Sequence, residues 1–297
     1  MTRLGVGDPA PRFALPDPSG TVVRLEPERH AATVVVFTAN GCPFARGWHD
    51  RIQRVARDLA GRGVAVLQVV SNDEADHPED SLDGMRARVA AGELAGPFLR
   101  DAEQSAARDY GTTATPEVFV IDPAGVVRYH GAPDADHDDP AQGAAWLREA
   151  VDDVLAGREV SRPATSPAGC SVKWRVELLW WDGCPSHGAA AELLGNVLAD
   201  LGRDDVRVVE RQVRTREEAA RLGFPGSPTF QVGRRDLFPV EAPPALTCRV
   251  YPRPDGRSSA LPAADDLAAR LREALARPWD LPGWVDPRKP ADRRPSR

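Results

Sequence analysis

The stretch VVVFTANGCPFARGW, residues 34–48, runs from β-branched residues through a small polar turn to Cys42 and Pro43. Proline directly after the cysteine is typical of the first position of a helix. A thiol just before a helix faces unpaired backbone N–H groups and the positive end of the helix dipole, and both favour the thiolate. Although an isolated cysteine is usually buried filler, this position predicts a reactive thiol at Cys42.

The composition is that of an ordinary soluble protein long enough for two domains. The chain has 297 residues, of which 28% are charged and 42% apolar. Its formal net charge of −6 argues against nucleic acid as the main partner. No run approaches the ~18 apolar residues of a membrane span, and the first residues lack the apolar run of a signal peptide. We therefore expect a cytoplasmic protein with neither a membrane nor a nucleic-acid partner.

The chain has four cysteines: Cys42, Cys170, Cys184 and Cys248. They are too few for the disulfide framework of a secreted protein of this length. In a reducing compartment such cysteines do chemistry or lie buried. Their positions along the sequence therefore decide how each is interpreted.

The first half of the sequence predicts alternating strands and helices. ATVVVFT (32–38) and VAVLQVV (64–70) are β-rich runs with little polar alternation, as expected of strands covered on both faces. Apolar residues after Cys42 recur at helical spacing. Further helices are predicted around 80–91, 102–110 and 141–156, and a hairpin of two strands at 115–122 and 126–131.

The second half repeats this order in shorter form. FTANGCPFARGW (37–48) matches LWWDGCPSHGAA (179–190), each with a strand, turn residues, Gly-Cys-Pro and a predicted helix. TTATPEVFVID (112–122) matches GFPGSPTFQVG (223–233), each with a small polar residue, a proline and a strand. Gly-Cys-Pro alone is a weak signal. Its repetition, followed both times by the proline motif, indicates two related domains.

This order is similar to that of thioredoxin-like domains. The resemblance implies that Pro116 and Pro228 are cis prolines packed beside the sulfur, rather than ordinary edge-strand prolines. The expected fold class is α/β, with two tandem thioredoxin-like domains, each a central mixed β-sheet flanked by helices. We place the domains at 1–160 and 173–278, with a Pro- and Ser-rich linker at 161–172 and a Pro- and Arg-rich tail at 279–297, expected to be disordered.

Three motifs make residues 7–173 resemble the redoxin (AhpC/TSA-type) thioredoxin-like family. GDPAPRFALPDPSG (7–20) is similar to the opening of those proteins, VVSNDEADHPEDSLDGM (69–85) to their middle, and AGCSVKW (168–174) to the GCSIKW that commonly ends them. The resemblance implies antioxidant redox chemistry at Cys42. Residues 174–277 resemble a small thioredoxin-like group that carries DGCPSH, SPT and CRLY and has no settled activity.

The residues around both cysteines depart from the familiar chemistries of this fold. The windows CPFA and CPSH lack the second cysteine of a Cys-x-x-Cys pair, which resolves a mixed disulfide locally. Redoxin relatives usually have Cys-Asn-His-Cys-Pro, where this chain has Ala39 and Gly41 at the first and third positions. A typical peroxiredoxin has Thr or Ser three residues before its reactive cysteine and Pro seven before, where this chain has Ala39 and Val35.

The two remaining cysteines offer a substitute for the missing local thiol. Cys170 lies in the predicted linker, which we expect to be flexible, so that this thiol could reach back to Cys42. Cys248, in LTCRVY, could serve Cys184 in the same way. In this interpretation Cys42 or Cys184 attacks as a thiolate, a mixed disulfide or sulfenate forms, and the distal cysteine displaces it. Alternatively, Cys170 is a passive linker residue, and Cys248 is buried between apolar neighbours.

Substrate contacts are expected from residues beside the two helix-start cysteines and the two prolines: Pro43, Thr115, Pro116, Pro185, His187, Ser227 and Pro228. His187, three residues after Cys184, either stabilises that thiolate or is a solvated surface residue. The stretch DADHDD (134–139) is interpreted as an acidic surface loop, because hard-metal loops need defined ligand spacing and a turn glycine. We therefore expect no metal and no cofactor.

The leading hypothesis is an enzyme, either a thiol–disulfide oxidoreductase or a thiol peroxidase of low activity. Its partners would be protein or small-molecule thiols, disulfides or peroxides. The runner-up is a binding protein without turnover that holds a partner thiol or a soft metal, for example between Cys184 and Cys248. A third hypothesis is a redox sensor. All three leave the oligomeric state open.

Overall fold

The structure is a computed structural model that describes residues 4–75, 77–203, 206–253 and 256–280. The chain divides into two compact units, Thr2–Val172 and Lys173–Ala276. Each unit contains helices and a mixed β-sheet, which confirms the α/β class. None of the described helices has both the length and the apolar composition that crossing a lipid bilayer requires. Most of the predicted tail, residues 281–297, lies outside the described residues.

The first unit is built on a five-stranded sheet. The strands of the whole unit, including those outside this sheet, are β1 (Ala14–Pro16), β2 (Val22–Arg24), β3 (Ala32–Thr38), β4 (Val64–Val70), β5 (Phe98–Arg100), β6 (Ala114–Thr115), β7 (Glu117–Ile121), β8 (Val127–Gly131) and β9 (Cys170–Ser171). Its α-helices are α1 (Pro43–Ala60), α2 (Leu82–Ala90), α3 (Ser105–Tyr110) and α4 (Ala145–Leu155).

Strand β3 is the centre of this sheet, whose order is β5-β4-β3-β7-β8. It runs parallel to β4 and antiparallel to β7. Every residue of β3 except the last, Thr38, is buried, which explains a β-branched run without polar alternation. The bounds of β3 and β4 coincide with the predicted strands 32–38 and 64–70, so both predictions are confirmed.

Helix α1 follows β3 directly and packs onto the sheet. Ile52, Val55 and Leu59, which recur at helical spacing in the sequence, are buried in one cluster with residues of β3 and α4. Trp48, one turn earlier, is also fully buried in this cluster. The apolar stripe therefore fixes the helix against the sheet and leaves its N-terminus at the end of β3.

The second unit is built on a four-stranded sheet in the order β11-β10-β12-β13. The strands of the whole unit, including those outside this sheet, are β10 (Val176–Trp180), β11 (Val208–Gln212), β12 (Thr229–Val232), β13 (Arg235–Asp236), β14 (Tyr251–Pro252) and β15 (Ser258–Ser259). Its α-helices are α5 (His187–Asp200), α6 (Arg216–Leu222) and α7 (Ala264–Ala274). Strand β10 is parallel to β11 and antiparallel to β12, as β3 is to β4 and β7.

The segment 161–172, predicted to be a flexible linker, instead lies against the first unit. Ala164 forms a parallel bridge with His130 of β8, and β9 pairs antiparallel with β6. A Cβ atom on Gly169 would lie 2.1 Å from the Thr115 carbonyl oxygen, so this glycine is needed for the close backbone approach. The small residues of the segment therefore serve tight packing rather than mobility.

Candidate functional site

Cys42 is the N-cap of α1, where the sequence places it. Its backbone is extended, with φ −72° and ψ 120°, and Pro43 is the first helical residue. The backbone N–H of Ala45 donates a hydrogen bond to the sulfur at 3.5 Å. The Cys42 side chain therefore uses one of the N–H groups that a helix start leaves unpaired. The residue is 5% exposed.

The Thr115–Pro116 peptide bond is cis, as the resemblance implies. The thiol of Cys42 donates a hydrogen bond to the carbonyl oxygen of Thr115 at 2.9 Å. The Cys42 sulfur therefore lies next to the segment that contains the cis proline. The contact with the sulfur is made by Thr115, the residue before the proline.

Strand pairing brings Cys170 to the same place. Cys170 lies opposite Thr115 in the β6–β9 pair and packs in a small cluster with Cys42, Ala39 and Ala45. Sequence reasoning assigned this approach to linker mobility. In the structure the approach is built into the folded unit, and both cysteines are free thiols.

Cys170 also determines the acidity of Cys42. The pKa of Cys42 is lowered to about 6, first because the side chain of Cys170 hydrogen-bonds its sulfur. Burial acts in the opposite direction and raises the pKa, while the N–H of Ala45 and the side chain of Thr115 lower it further. The Cys42 thiol therefore ionises more readily than an ordinary cysteine.

The turn before Cys42 is held by a buried carboxylate that sequence reasoning missed. Asp80 accepts hydrogen bonds from the backbone N–H of Asn40 at 2.5 Å and from Nδ2 of Asn72 at 2.8 Å. Burial raises the pKa of Asp80. A Cβ atom on Gly41 would meet only the flexible side chain of Glu79, which can move aside. Asp80 lies in the redoxin-like motif 69–85, and this motif is the sequence feature that could have pointed to its role.

The acidic stretch DADHDD folds around the guanidinium of Arg51, a buried residue of α1. Arg51 forms an ion pair with the buried Asp134 at 2.7 Å and donates to the carbonyl oxygen of Asp136 at 2.8 Å. Asp136, His137 and Asp138 each place one possible metal-ligand atom within 4.8 Å of the others. Because the loop is already organised by the buried arginine, its conformation needs no metal.

Cys184 has a different local structure from Cys42. It lies in a turn, and its backbone N–H donates to the carbonyl oxygen of Trp181 at 3.0 Å. Pro185 and Ser186 complete the turn, and α5 begins only at His187, with Ser186 as its N-cap. The prediction of a helix start directly after Cys184 is therefore wrong. Cys184 is half-buried.

His187 is neither directed to the thiolate nor simply solvated, the two alternatives from sequence. Its ring stacks on Trp180, with centroids 3.9 Å apart and planes 7° from parallel. Its Nε2 lies 2.6 Å from a carboxylate oxygen of Glu210 on β11. These contacts tie the first residue of α5 to the sheet.

The second proline motif also has a cis bond, Ser227–Pro228. The N–H of Ser227 donates to the carbonyl oxygen of Thr247, and the N–H of Arg249 donates to that of Ser227, both at 2.8 Å. Cys248 is thereby bridged in parallel to Ser227. The expectation of a buried Cys248 is wrong, because the residue is exposed. Apart from this bridge, LTCRVY does not continue as a strand along β12.

Two further residues of the second site were missed by sequence reasoning. Arg249 is buried, donates to a carboxylate oxygen of Asp236 at 2.8 Å and lies over the ring of Tyr251. The hydroxyl of Tyr251 donates to the carbonyl oxygen of Pro228 at 2.5 Å. Burial raises the pKa of Tyr251.

Comparison with known proteins agrees with this geometry. Residues 6–130 match the AhpC/TSA family. A hypothetical protein from Sinorhizobium meliloti 1021 is 36% identical, with a TM-score of 0.53, over 58% of this chain and 96% of that chain. The first unit belongs to the AhpC/TSA family. The redoxin resemblance of the first unit is thereby confirmed, with Cys42 and Pro116 inside the matched residues.

Two other proteins are similar to about half of the chain. An uncharacterized conserved protein from Geobacillus kaustophilus is 33% identical, with a TM-score of 0.52, over 59% of this chain and 94% of that chain. The thiol:disulfide interchange protein DsbE of Allochromatium vinosum is 27% identical over 161 residues, or 53% of this chain and 80% of that protein. Cys170 and the whole second unit lie beyond the residues matched to the family.

Proposed function

We propose that the first unit is a thiol–disulfide oxidoreductase in which Cys42 attacks and Cys170 resolves. The observation that carries the proposal is the pairing of β6 with β9, which packs Cys170 against the buried Cys42 at the start of α1. The lowered pKa of Cys42, about 6, supports it. A thiolate is the nucleophile of disulfide exchange, and a neighbouring thiol can displace the mixed disulfide that results. The similarity to a thiol:disulfide interchange protein supports the same assignment.

The proposed reaction has two exchange steps. The Cys42 thiolate attacks a disulfide RSSR, forms a bond to one sulfur and releases RS⁻. Cys170 then loses its proton and attacks the Cys42 sulfur, which forms the Cys42–Cys170 disulfide and releases the second RS⁻. The two leaving thiolates take up protons, so RSSR is reduced to two RSH while the two cysteines are oxidised.

The test uses the full chain with Cys184 and Cys248 both replaced by serine. Treatment with bis(2-hydroxyethyl) disulfide should oxidise both remaining thiols, release two equivalents of 2-mercaptoethanol and give a Cys42–Cys170 peptide on mass mapping. A further Cys170→Ser change should stop the reaction at a mixed disulfide on Cys42. Two thiols that both stay free would contradict the proposal. A faster reaction with hydrogen peroxide than with the disulfide would favour the thiol peroxidase instead.

We further propose that the second unit is a second thioredoxin-like domain, so that the chain carries two in tandem. The succession β10, α5, β11, α6, cis-Pro228 and β12 supports this, because it repeats β3, α1, β4, cis-Pro116 and β7 with the same strand directions. The bounds 1–160 and 173–278 belong to this proposal. Outside the tail, limited trypsin digestion should cut first at Lys173, at the boundary between the units. Earlier cleavage inside either sheet would contradict it.

We also propose that Cys184 and Cys248 form the thiol pair of the second domain. Cys248 is bridged to Ser227 as Cys170 is paired with Thr115, in each case the residue before the cis proline. A variant with Cys42 and Cys170 replaced by serine should still form one disulfide, more slowly. Binding of a soft metal by this variant without disulfide formation would favour the binding-protein hypothesis.

A cytoplasmic location is part of the proposal. There the thiol pool would return both pairs to the dithiol form after each exchange. Fractionation of the source cells, with the thiols blocked at lysis, should find the protein reduced in the cytoplasmic fraction. Recovery of an oxidised protein outside that fraction would contradict this part.

A further inference from the structure

The segment 163–172, here called the strap, covers two open edges of the first unit. At β8, His130 donates to the carbonyl oxygen of Pro163 at 3.2 Å and accepts from the N–H of Thr165 at 3.1 Å. The Thr165 hydroxyl accepts from the N–H of Ala132 at 2.9 Å. Since β8 is the last strand of the five-stranded sheet, the strap blocks its free backbone groups.

The strap then covers the backbone beside the reactive sulfur. Ser171 and Cys170 pair with Ala114 and Thr115, the two residues before the cis proline. The pairing is close, because a Cβ atom on Gly169 would lie 2.1 Å from the carbonyl oxygen of Thr115. The strap therefore occupies the strand position nearest to Cys42.

We propose that the strap restricts the first site to small disulfides and excludes protein disulfides, an inference that rests on the proposed exchange at Cys42. A cysteine in a protein substrate is flanked by polypeptide chain on both its N-terminal and its C-terminal side. Such a chain docks most readily by adding a strand to exposed backbone groups. The strap already occupies those groups at residues 114–115, and Cys42 beneath it is only 5% exposed.

A small disulfide needs no docking strand. It reaches Cys42 once the side chain of Cys170 rotates, a rotamer change that leaves the strap paired. The Cys42 thiolate then bonds to one sulfur of the small disulfide and releases the other as a thiolate, which takes up a proton. Cys170, carried by the strap, is in place to complete the exchange.

The test measures only the first step, in the full chain with Cys170, Cys184 and Cys248 replaced by serine. Mixed-disulfide formation on Cys42 is followed by mass spectrometry with two probes, bis(2-hydroxyethyl) disulfide and insulin. In this background we expect the small probe to react at least about tenfold faster than insulin, since access to the attacking sulfur limits exchange. Adding Gly169→Ala should displace the strap and raise the insulin rate about tenfold, with little change for the small probe.

A matched control separates the effect of the strap from the effect of an added methyl group, and a second variant loosens the strap in another way. Gly61→Ala adds the same methyl group where nothing lies within 4 Å, so it should change neither rate. Thr165→Val, which removes the hydroxyl contact with Ala132, replaces Gly169→Ala if that chain does not fold. If insulin reacts as fast as the small probe, or if loosening the strap leaves its rate unchanged, the inference is overturned while exchange at Cys42 stands. If neither probe reacts, the proposed function itself fails.

Discussion

The two Gly-Cys-Pro motifs occupy equivalent places after a central strand but have different structures. Cys42 is the N-cap of α1 and is buried, whereas Cys184 lies in a turn three residues before α5 begins and is half-buried. The cysteine and proline are the same in both, so the difference comes from the residues around them. After Pro43, Ala45 is buried against the unit and the helix starts at once.

After Pro185 the sequence is Ser-His-Gly, which favours a later start. Ser186 is the N-cap residue without a side-chain capping hydrogen bond, and Gly188 weakens the first turn of the helix. His187 adds contacts of its own, since it stacks on Trp180 and bonds Glu210. A cysteine–proline pair after a strand therefore predicts the turn. The residue at which the helix begins depends on which of the following side chains pack against or bond to the rest of the unit.

The largest expected difference between the sites is in turnover. Cys42→Ser should lower the dithiothreitol-driven reduction of bis(2-hydroxyethyl) disulfide at pH 7 by about a hundredfold or more, because it removes the nucleophile of the buried, preorganised pair. Cys184→Ser should lower the rate by less than about twofold. Steady-state rates of the two full-length variants make the comparison. Equal losses would show that the second site shares the chemistry.

The second difference concerns the buried arginine near each site. Arg51→Met should lower the free energy of unfolding of the first unit by about 3–5 kcal/mol, because it leaves the carboxylate of Asp134 buried and without its cation. Arg249→Met should cost less, about 1.5–3 kcal/mol, since Asp236 is partly exposed and can be hydrated.

Urea unfolding, with the two units followed as separate transitions, measures both losses. Arg62→Met is the matched control: its ion pair with Asp152 is about half exposed on both sides, and its loss should cost under about 1 kcal/mol. Equal effects of Arg51→Met and Arg62→Met would mean that the loop containing Asp134 does not depend on the buried charge.

The features predicted from sequence were those set by local rules. The β-branched runs fixed β3 and β4, and Pro43 fixed the start of α1. What could not be predicted depends on contacts between distant residues. Asp80 holds the turn at Asn40, forty positions earlier, and Cys170 pairs with Thr115, fifty-five positions earlier.

Composition also misled where backbone packing needed small residues. A Pro-, Ser- and Gly-rich segment is typical of a linker, yet Gly169 is there because the Thr115 carbonyl lies where a side chain would be. Likewise, Cys248 lies two positions from Leu246 and from Val250 in sequence but is exposed, since the bridge with Ser227 sets its place.

A smaller effect is expected on the acidity of Cys42. Cys170→Ala removes the hydrogen bond that lowers the pKa of Cys42 and leaves the burial that raises it, so the pKa should rise above about 6. At pH 6 the thiolate fraction, and with it the iodoacetamide reaction at Cys42, should fall. Cys170→Ser keeps a hydroxyl donor and should lie closer to the wild type. An unchanged profile in Cys170→Ala would assign the low pKa to the helix start alone.

The smallest effect is expected at His187, the first residue of α5, three positions after Cys184. His187→Ala removes a stacked ring and one contact with the half-exposed Glu210, so it should lower the free energy of unfolding of the second unit by about 1 kcal/mol or less. Because the imidazole bonds Glu210 rather than the thiol, iodoacetamide should react with Cys184 at nearly the wild-type rate from pH 6 to 8. Glu210→Gln, which keeps the stacking partner Trp180, is the control. A tenfold slower reaction at Cys184 in His187→Ala alone would show that the imidazole assists this thiol, as Cys170 assists Cys42 in the first unit.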